Sequence, residues 1–276
     1  MTERTRLRKS AFVARLAASG PDDLMPSVPA DAFSGIENFR DFGGFDGAHG
    51  RVREGLLLRS GHHADASDQD LVLLDALGIA TIIDLRRPAE RDGQPSRRSP
   101  GFRGAVLASG LGEHEGPHRE FLNRADLSDA AIARFLEEFY RAAPFDPAHL
   151  ELFAGAFAAL QKGNLLIHCT QGKDRTGLLA ALIQTALGAH PDTVMAEFLK
   201  TNEAMLTEAR IARMTLGLKA MTGNAPSQAA IRALLGVDTA HLAAAFAAID
   251  AQAGGIDAYL DRLGVDRPRL LAAAGC

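Results

Sequence analysis

The stretch NLLIHCTQGKDRTG, Asn164 to Gly177, decides how this chain folds. Asn164 to His168 is apolar without polar alternation, the pattern of a strand buried on both faces. Thr176 to Leu187 carries apolar residues at helical spacing. A loop that feeds a helix from a strand end turns backbone N–H groups and the positive end of the helix dipole toward one hollow, which suits an anion. On that loop stand one thiol (Cys169), one glycine (Gly172) and two cations (Lys173 and Arg175). This arrangement suits attack on phosphorus.

Outward from the loop, the same period runs through two-thirds of the chain. Gly55 to Arg59, Ile79 to Leu85 and Ala105 to Leu107 read as further strands. Ser67 to Leu77, Ser128 to Ala142 and His149 to Gln161 read as helices, the second with Ile132, Phe135, Leu136 and Phe139 on one side. Strands alternating with helices predict an α/β fold with a mainly parallel central sheet flanked by helices. Beyond Pro191 the chain reads as helix after helix, capped at Asp192 or Thr193 and at Asp238, and broken near Gly223, Pro226 and Gly254. This helical C-terminal third is expected to pack on the sheet. Residues 86–103 hold six arginines among Pro and Gly, a solvated loop or a basic rim beside the anion site, and 112–126 is polar and irregular.

With 276 residues of which 47% are hydrophobic, the chain has ample material for a core. A net charge of −4 and the lack of a polybasic stretch argue against nucleic acid. No apolar run approaches the roughly 18 residues of a membrane span, so no transmembrane segment is expected. The basic N-terminus is broken by Arg15 before a signal-peptide core forms, so residues 1–30 read as an amphipathic helical arm ending in a proline-containing loop. The two cysteines, Cys169 and the terminal Cys276, give no disulfide framework. A reducing, cytoplasmic setting fits, and secretion without a signal peptide stays open.

The loop chemistry assigns roles. A thiolate is the reactive form of cysteine and is favoured at helix N-termini beside cations, so Cys169 is the candidate nucleophile. Arg175 offers a planar fork to two phosphoryl oxygens. The amides of Thr170, Gln171, Gly172, Lys173 and Asp174 can curl round the anion, with Gly172 supplying the dihedral freedom. Thr176 can donate its hydroxyl to the sulfur, and His168 orients the loop. The leaving oxygen needs an acid and the attacking water a base. Asp174 is first for this, then Asp84 at the end of the neighbouring strand, then Asp126 and Asp129 on a mobile segment.

The pattern His-Cys-x-x-Gly-Lys-Asp-Arg-Thr-Gly, with Asn38-Phe39-Arg40-Asp41 and Gly43-Gly44 upstream, resembles the atypical bacterial tyrosine phosphatases. The resemblance runs from about Asn38 to Arg267. It implies a cysteine-dependent phosphatase fold, with residues 31–276 as one domain and 112–143 as a lid insertion. It implies a phosphocysteine intermediate and no cofactor or metal. Substrates would be phosphotyrosine, phosphoserine or phosphothreonine in proteins, or phosphoinositides. By this similarity Cys169 is the nucleophile, Arg175 the phosphate-binding arginine, Lys173 a second phosphate or inositol contact, and Asp174 the loop acid, with Asp84 also an acid candidate. The chain has no tryptophan, hence no Trp-Pro-Asp acid loop.

Other readings compete. Walker-type nucleotide binding fails, because Asp174 follows Gly-Lys where Ser or Thr belongs. His62 with His63, and His114 with His118, do not share a helical face and read as solvated loop histidines, not metal ligands. A rhodanese-like sulfurtransferase is the enzymatic rival, and a non-catalytic phosphate-binding adaptor the alternative of another class.

Overall fold

Leu165–His168 is the central strand, as its unbroken apolar run predicts. The structure, a computed structural model, describes residues 32–112, 117–122, 126–223 and 226–275. The expected N-terminal arm, His114 and Cys276 lie outside these residues. In chain order the first half contains β1 (Arg40–Asp41), β2 (Leu57–Ser60), α1 (Asp68–Ala76), β3 (Thr81–Asp84), α2 (Pro88–Gly93), β4 (Ala105–Ala108), α3 (Pro117–Leu122) and α4 (Asp129–Ala142). A 3-10 turn (Ala143–Phe145) leads to α5 (Pro147–Leu160), then β5 (Leu165–His168) and α6 (Asp174–Ala186). The remaining helices are α7 (Pro191–Leu199), α8 (Thr201–Met205), α9 (Glu208–Thr222), α10 (Gln228–Leu235), α11 (Thr239–Ala253), α12 (Ile256–Arg262) and α13 (Arg267–Ala274). Among the described residues no single helix is long and apolar enough to cross a membrane.

The sheet order is β1-β2-β5-β3-β4, parallel throughout except for the short β1. The register sets Ser60 and Asp84 level with His168, so three strands end side by side under the loop. Alternation along the strands divides the core. Leu57, Ile83, Leu165 and Ile167 join the large cluster beneath α5, α6 and α11 to α13. Leu58, Ile82 and Leu166 face the smaller cluster built on α1.

Helix starts follow local capping chemistry. Ser67 and Asp70 form a capping box on α1, and Ser128, Ser227 and Asp238 cap α4, α10 and α11. Helix α5 begins two residues before the expected start because Asp146 caps it and Pro147 fits its first turn. Helix α7 is capped by His190 instead of Asp192 or Thr193, since Pro191 already holds the first helical position.

Three expectations need correction. Residues 86–103 are not all loop, because Pro88 starts the short helix α2 with Glu90 at its third position. Polar residues 112–126 contain α3, held by Phe121 packed on Phe135 with ring centroids 4.2 Å apart. The C-terminal third does not pack on the sheet as a whole. Helices α11 to α13 do, but Ile211, Leu218, Ile231 and Leu234 of α9 and α10 join Phe121, Ile132 and Leu136 in a third cluster that contains no strand residue.

Candidate active site

Cys169 follows the end of β5 and is 3% exposed. The loop after it is held from outside by its carbonyl oxygens. Asn38 donates its side-chain amide to Gly172 O at 2.8 Å and to Gln171 O at 3.3 Å. Arg59, wholly buried, donates to Gly172 O at 2.8 Å, and the His62 amide donates to Thr170 O at 3.0 Å. In a trans peptide the C=O and the next N–H point in opposite directions. Holding the carbonyls of Thr170, Gln171 and Gly172 outward therefore turns the amides of Gln171, Gly172 and Lys173 inward, an anion nest at the start of α6. Gly172 has φ +65, and an added Cβ would lie 2.4 Å from the Ser60 carbonyl, so no larger residue fits. Asn38 takes φ +55, a backbone conformation that asparagine tolerates better than most residues.

Helix α6 starts at Asp174, two residues before the expected Thr176, which places Arg175 in its first turn. The terminal fork of Arg175 is already filled. It donates to both oxygens of Glu90, at 2.6 and 2.7 Å, to Leu85 O at 3.1 Å and to Thr170 Oγ1 at 3.3 Å. Its Nε is the edge with no protein partner among the described residues. The end fork that the sequence offers to an anion is thus engaged within the protein. Glu90 also accepts from Thr170 Oγ1 at 2.5 Å and from the Arg87 amide at 2.8 Å. Burial pushes its carboxyl up, but the Arg175 hydrogen bonds and charge outweigh this and hold it well below the usual carboxylate range.

Asp174 is buried. It accepts from Tyr140 Oη at 2.8 Å and from Lys173 Nζ at 2.9 Å, and its Oδ2 faces His118 Nε2 at 3.4 Å. Burial opposes its charge, but Lys173 and then His118 outweigh this and hold it well below the usual range. As placed, Asp174 is a fixed acceptor, and the expected role of resting proton donor does not follow from its surroundings. Lys173 Nζ also donates to Gly236 O at 3.1 Å and is buried, and Lys173 lines the same cavity as Cys169 and Arg175.

The remaining expected residues divide clearly. Asp84 does not line the cavity; Arg86 grips it through two bonds of 2.9 and 2.7 Å, and its role as an acid finds no geometry. Asp126 accepts from the Ser128 amide at 3.0 Å and Asp129 from Ser227 Oγ at 2.5 Å, and neither lines the cavity. Thr176 Oγ1 is buried without a hydrogen-bond partner among the described residues, so the expected bond to the sulfur is not formed in the resting protein. His168 donates Nδ1–H to Cys169 O at 3.2 Å and stacks on His63 at 4.7 Å, with burial pushing its pKa down to about 4.

Five of the six arginines in 86–103 are engaged within the protein, and Arg87 among them lines the cavity. Arg86 is paired with Asp84, Arg87 with Asp146 at 2.5 Å and Arg97 with Asp68 at 2.6 Å, while Arg91 donates to Ser109 O at 2.8 Å and Arg98 meets His63 Nδ1 at 2.8 Å.

Above the nest lies a cavity of about 500 Å³. Cys169, Thr170, Gln171 and Arg175 form its floor; Phe121, Phe135, Phe139, Met214 and Leu234 wall it, and His118 is set among them. Sequence reading missed Glu90, His118 and Tyr140. A cue existed for Glu90, because Arg87-Pro88-x-Glu90 is a helix start with proline first and an acid at the third position. No cue existed for His118, which was read as a loop residue.

The sequence pattern of the tyrosine phosphatase family matches residues 32–272. The chain is 39% identical over 262 residues to the Cupriavidus necator protein H16_A0669, which bears a tyrosine-protein phosphatase name, covering 90% of this chain and 92% of that one. It is 28% identical over 265 residues to the triple specificity protein phosphatase PtpB of Mycobacterium tuberculosis, covering 84% and 93%. The crystal structure of TpbA from P. aeruginosa shares 21% identity over 62% of this chain and 88% of that one, with a TM-score of 0.31, too low for a structural argument. With a match across nearly its whole described length, this chain belongs to the tyrosine phosphatase family.

Proposed function

We propose that this chain is a protein-tyrosine phosphatase that works through a phosphocysteine. One observation carries the reading: Cys169 stands on the floor of a cavity walled by aromatic and aliphatic side chains, beside Arg175 and the inward amides of the loop. The amides and the Arg175 Nε edge bind phosphoryl oxygens and gain strength as negative charge gathers in the transition state. Cys169 Sγ attacks phosphorus, the P–O bond to the tyrosyl ring breaks, and the leaving oxygen takes a proton. Water then attacks the phosphocysteine, gives up a proton, and the S–P bond breaks to free phosphate and restore the thiolate. Glu90 and Asn38 touch no substrate in this scheme; they set the arginine and the amides in place.

Phe135, Phe139 and Met214 offer apolar contact to an aryl ring. A polyphosphorylated headgroup is less favoured, since Arg86, Arg87, Arg97 and Lys173 are already bound to carboxylates. Transfer of sulfur loses its support with the family match.

The test is phosphate release, side by side, from a phosphotyrosine peptide, a phosphoserine peptide and phosphoinositide vesicles. Phosphotyrosine should be hydrolysed fastest, and Cys169→Ser should lower turnover at least about 10⁴-fold while leaving the fold intact. Turnover that survives in Cys169→Ser overturns the mechanism. Faster release from vesicles overturns the substrate order.

A further inference from the structure

We propose that His118 gives the proton to the leaving oxygen and takes it back from the attacking water, with Phe135 and Phe139 fixing its ring; this rests on the phosphocysteine reading.

The carboxylates near the nucleophile are committed. Glu90 uses both oxygens on Arg175, with Thr170 and the Arg87 amide as further donors. Asp84 is gripped by Arg86 away from the cavity. Asp174 Oδ1 accepts two hydrogen bonds, from Tyr140 and Lys173, and only Oδ2 is left, facing His118. A carboxylate held by donors is a poor proton source.

His118 has the complementary features. Its Nε2 is buried, stands 3.4 Å from Asp174 Oδ2 and is off the hydrogen-bond line, so it has no hydrogen-bond partner among the described residues. Edge-on packing against Phe135 and Phe139, with centroids at 5.0 and 4.5 Å, fixes the ring in the wall of the cavity that also holds Cys169 and Arg175. The other imidazole there, His149, is unsuited. Its Nδ1–H is given to Ala143 O at 2.8 Å, and burial pushes its pKa down to about 4, which leaves a neutral ring with only a lone pair to offer.

The steps balance without a further reactant. In the first, Sγ bonds to phosphorus, the P–O bond breaks, and the Nε2 proton of imidazolium His118 moves to the departing oxygen. In the second, neutral His118 takes a proton from water as its oxygen bonds to phosphorus and the thiolate departs. Phosphate leaves, and His118 is again protonated.

The experiment compares His118→Gln and His118→Asn with the wild type on phenyl phosphate, whose leaving group needs a proton, and on 2,4-dinitrophenyl phosphate, whose leaving group does not. Orthovanadate inhibition and the melting temperature report that the nest and fold are intact. The expected result is a loss of about 10²-fold in kcat on phenyl phosphate and of less than about 3-fold on the dinitrophenyl ester. Equal losses on both esters, or no loss on either, overturn the assignment alone. So does a leaving-group-dependent loss in Asp174→Asn with none in the His118 variants. Turnover by Cys169→Ser would overturn the phosphocysteine reading and this one with it, an outcome no His118 variant can imitate.

Discussion

Beneath the cavity, Gly172 O is held by Asn38, 134 residues away, and Arg175 by Glu90, 85 residues away. Above it, Phe121, Leu136, Ile211 and Leu234 meet chiefly one another. The floor is polar, directional and tied to strand ends. The roof is apolar and drawn from α3, α4, α9 and α10, of which α4 also reaches the larger sheet core through Phe139 and Tyr140. Directional bonds fix atoms to tenths of an ångström, as a transition state demands, whereas apolar packing fixes volume and shape. The nucleophile and the phosphate-binding groups therefore belong to the floor, while the roof gives selectivity and, through His118, the proposed proton transfer.

The largest expected effect tests the floor. Arg175→Lys keeps the charge but loses both the Glu90 fork and the Nε edge, and should lower kcat/KM by about 10³-fold. Near-full activity would show that charge alone suffices, and the contrast between floor and roof would fail.

Next is acidity. Burial pushes His168 in the floor and His149 in the cavity wall down to about 4, below the 6.5 of a free imidazole. The unfolded chain takes up these protons first, so the stabilisation is complete above pH 6.5 and is lost as pH falls toward 4. The loss is about 3 kcal/mol for each. Glu90 and Asp174, held below the usual carboxylate range, keep their contribution through this window and lose it only at lower pH. Melting temperature should hold from pH 7.5 to about 6.5 and fall from there to pH 5, and a curve flat throughout would remove the buried, neutral histidines from the account.

Asn38→Ala then separates alignment from contact. It should lower kcat by about 10²-fold with little change in KM for small aryl phosphates, because the amides lose their outside support. Asn38→Asp should be no better, since it offers an acceptor where the Gly172 carbonyl needs a donor. The smallest effect belongs to the roof. Met221 lines the cavity and is 60% exposed, so Met221→Ala should raise KM for a phosphotyrosine peptide by about 3-fold and leave kcat and melting temperature unchanged. A fall in kcat there would mean that the exposed edge of the roof does more than shape the entrance.

The sequence revealed the two regions unequally. Strands β2 to β5, the mainly parallel sheet and the loop from Cys169 to Arg175 were legible, because short apolar runs and a strand-to-helix anion loop are local patterns. The partners of the loop were not. Nothing local in Glu90 says that it meets Arg175, and the arginines around it look like a basic surface until Asp84, Asp146 and Asp68 are seen beside them. The roof was least legible. Helix α3 has six residues, too few for periodicity to appear, and His118 gains meaning only where Asp174 and Phe139 come close.

The filled fork of Arg175 has one more consequence. An empty site need not find a substitute anion or rearrange its guanidinium, because four of its five N–H groups are satisfied at rest. Inhibitors gain little by offering a broad, doubly charged clamp to that side chain. A compact phosphate mimic, joined to an apolar group shaped for the helices overhead, would take its potency from the nest and its discrimination from the apolar wall.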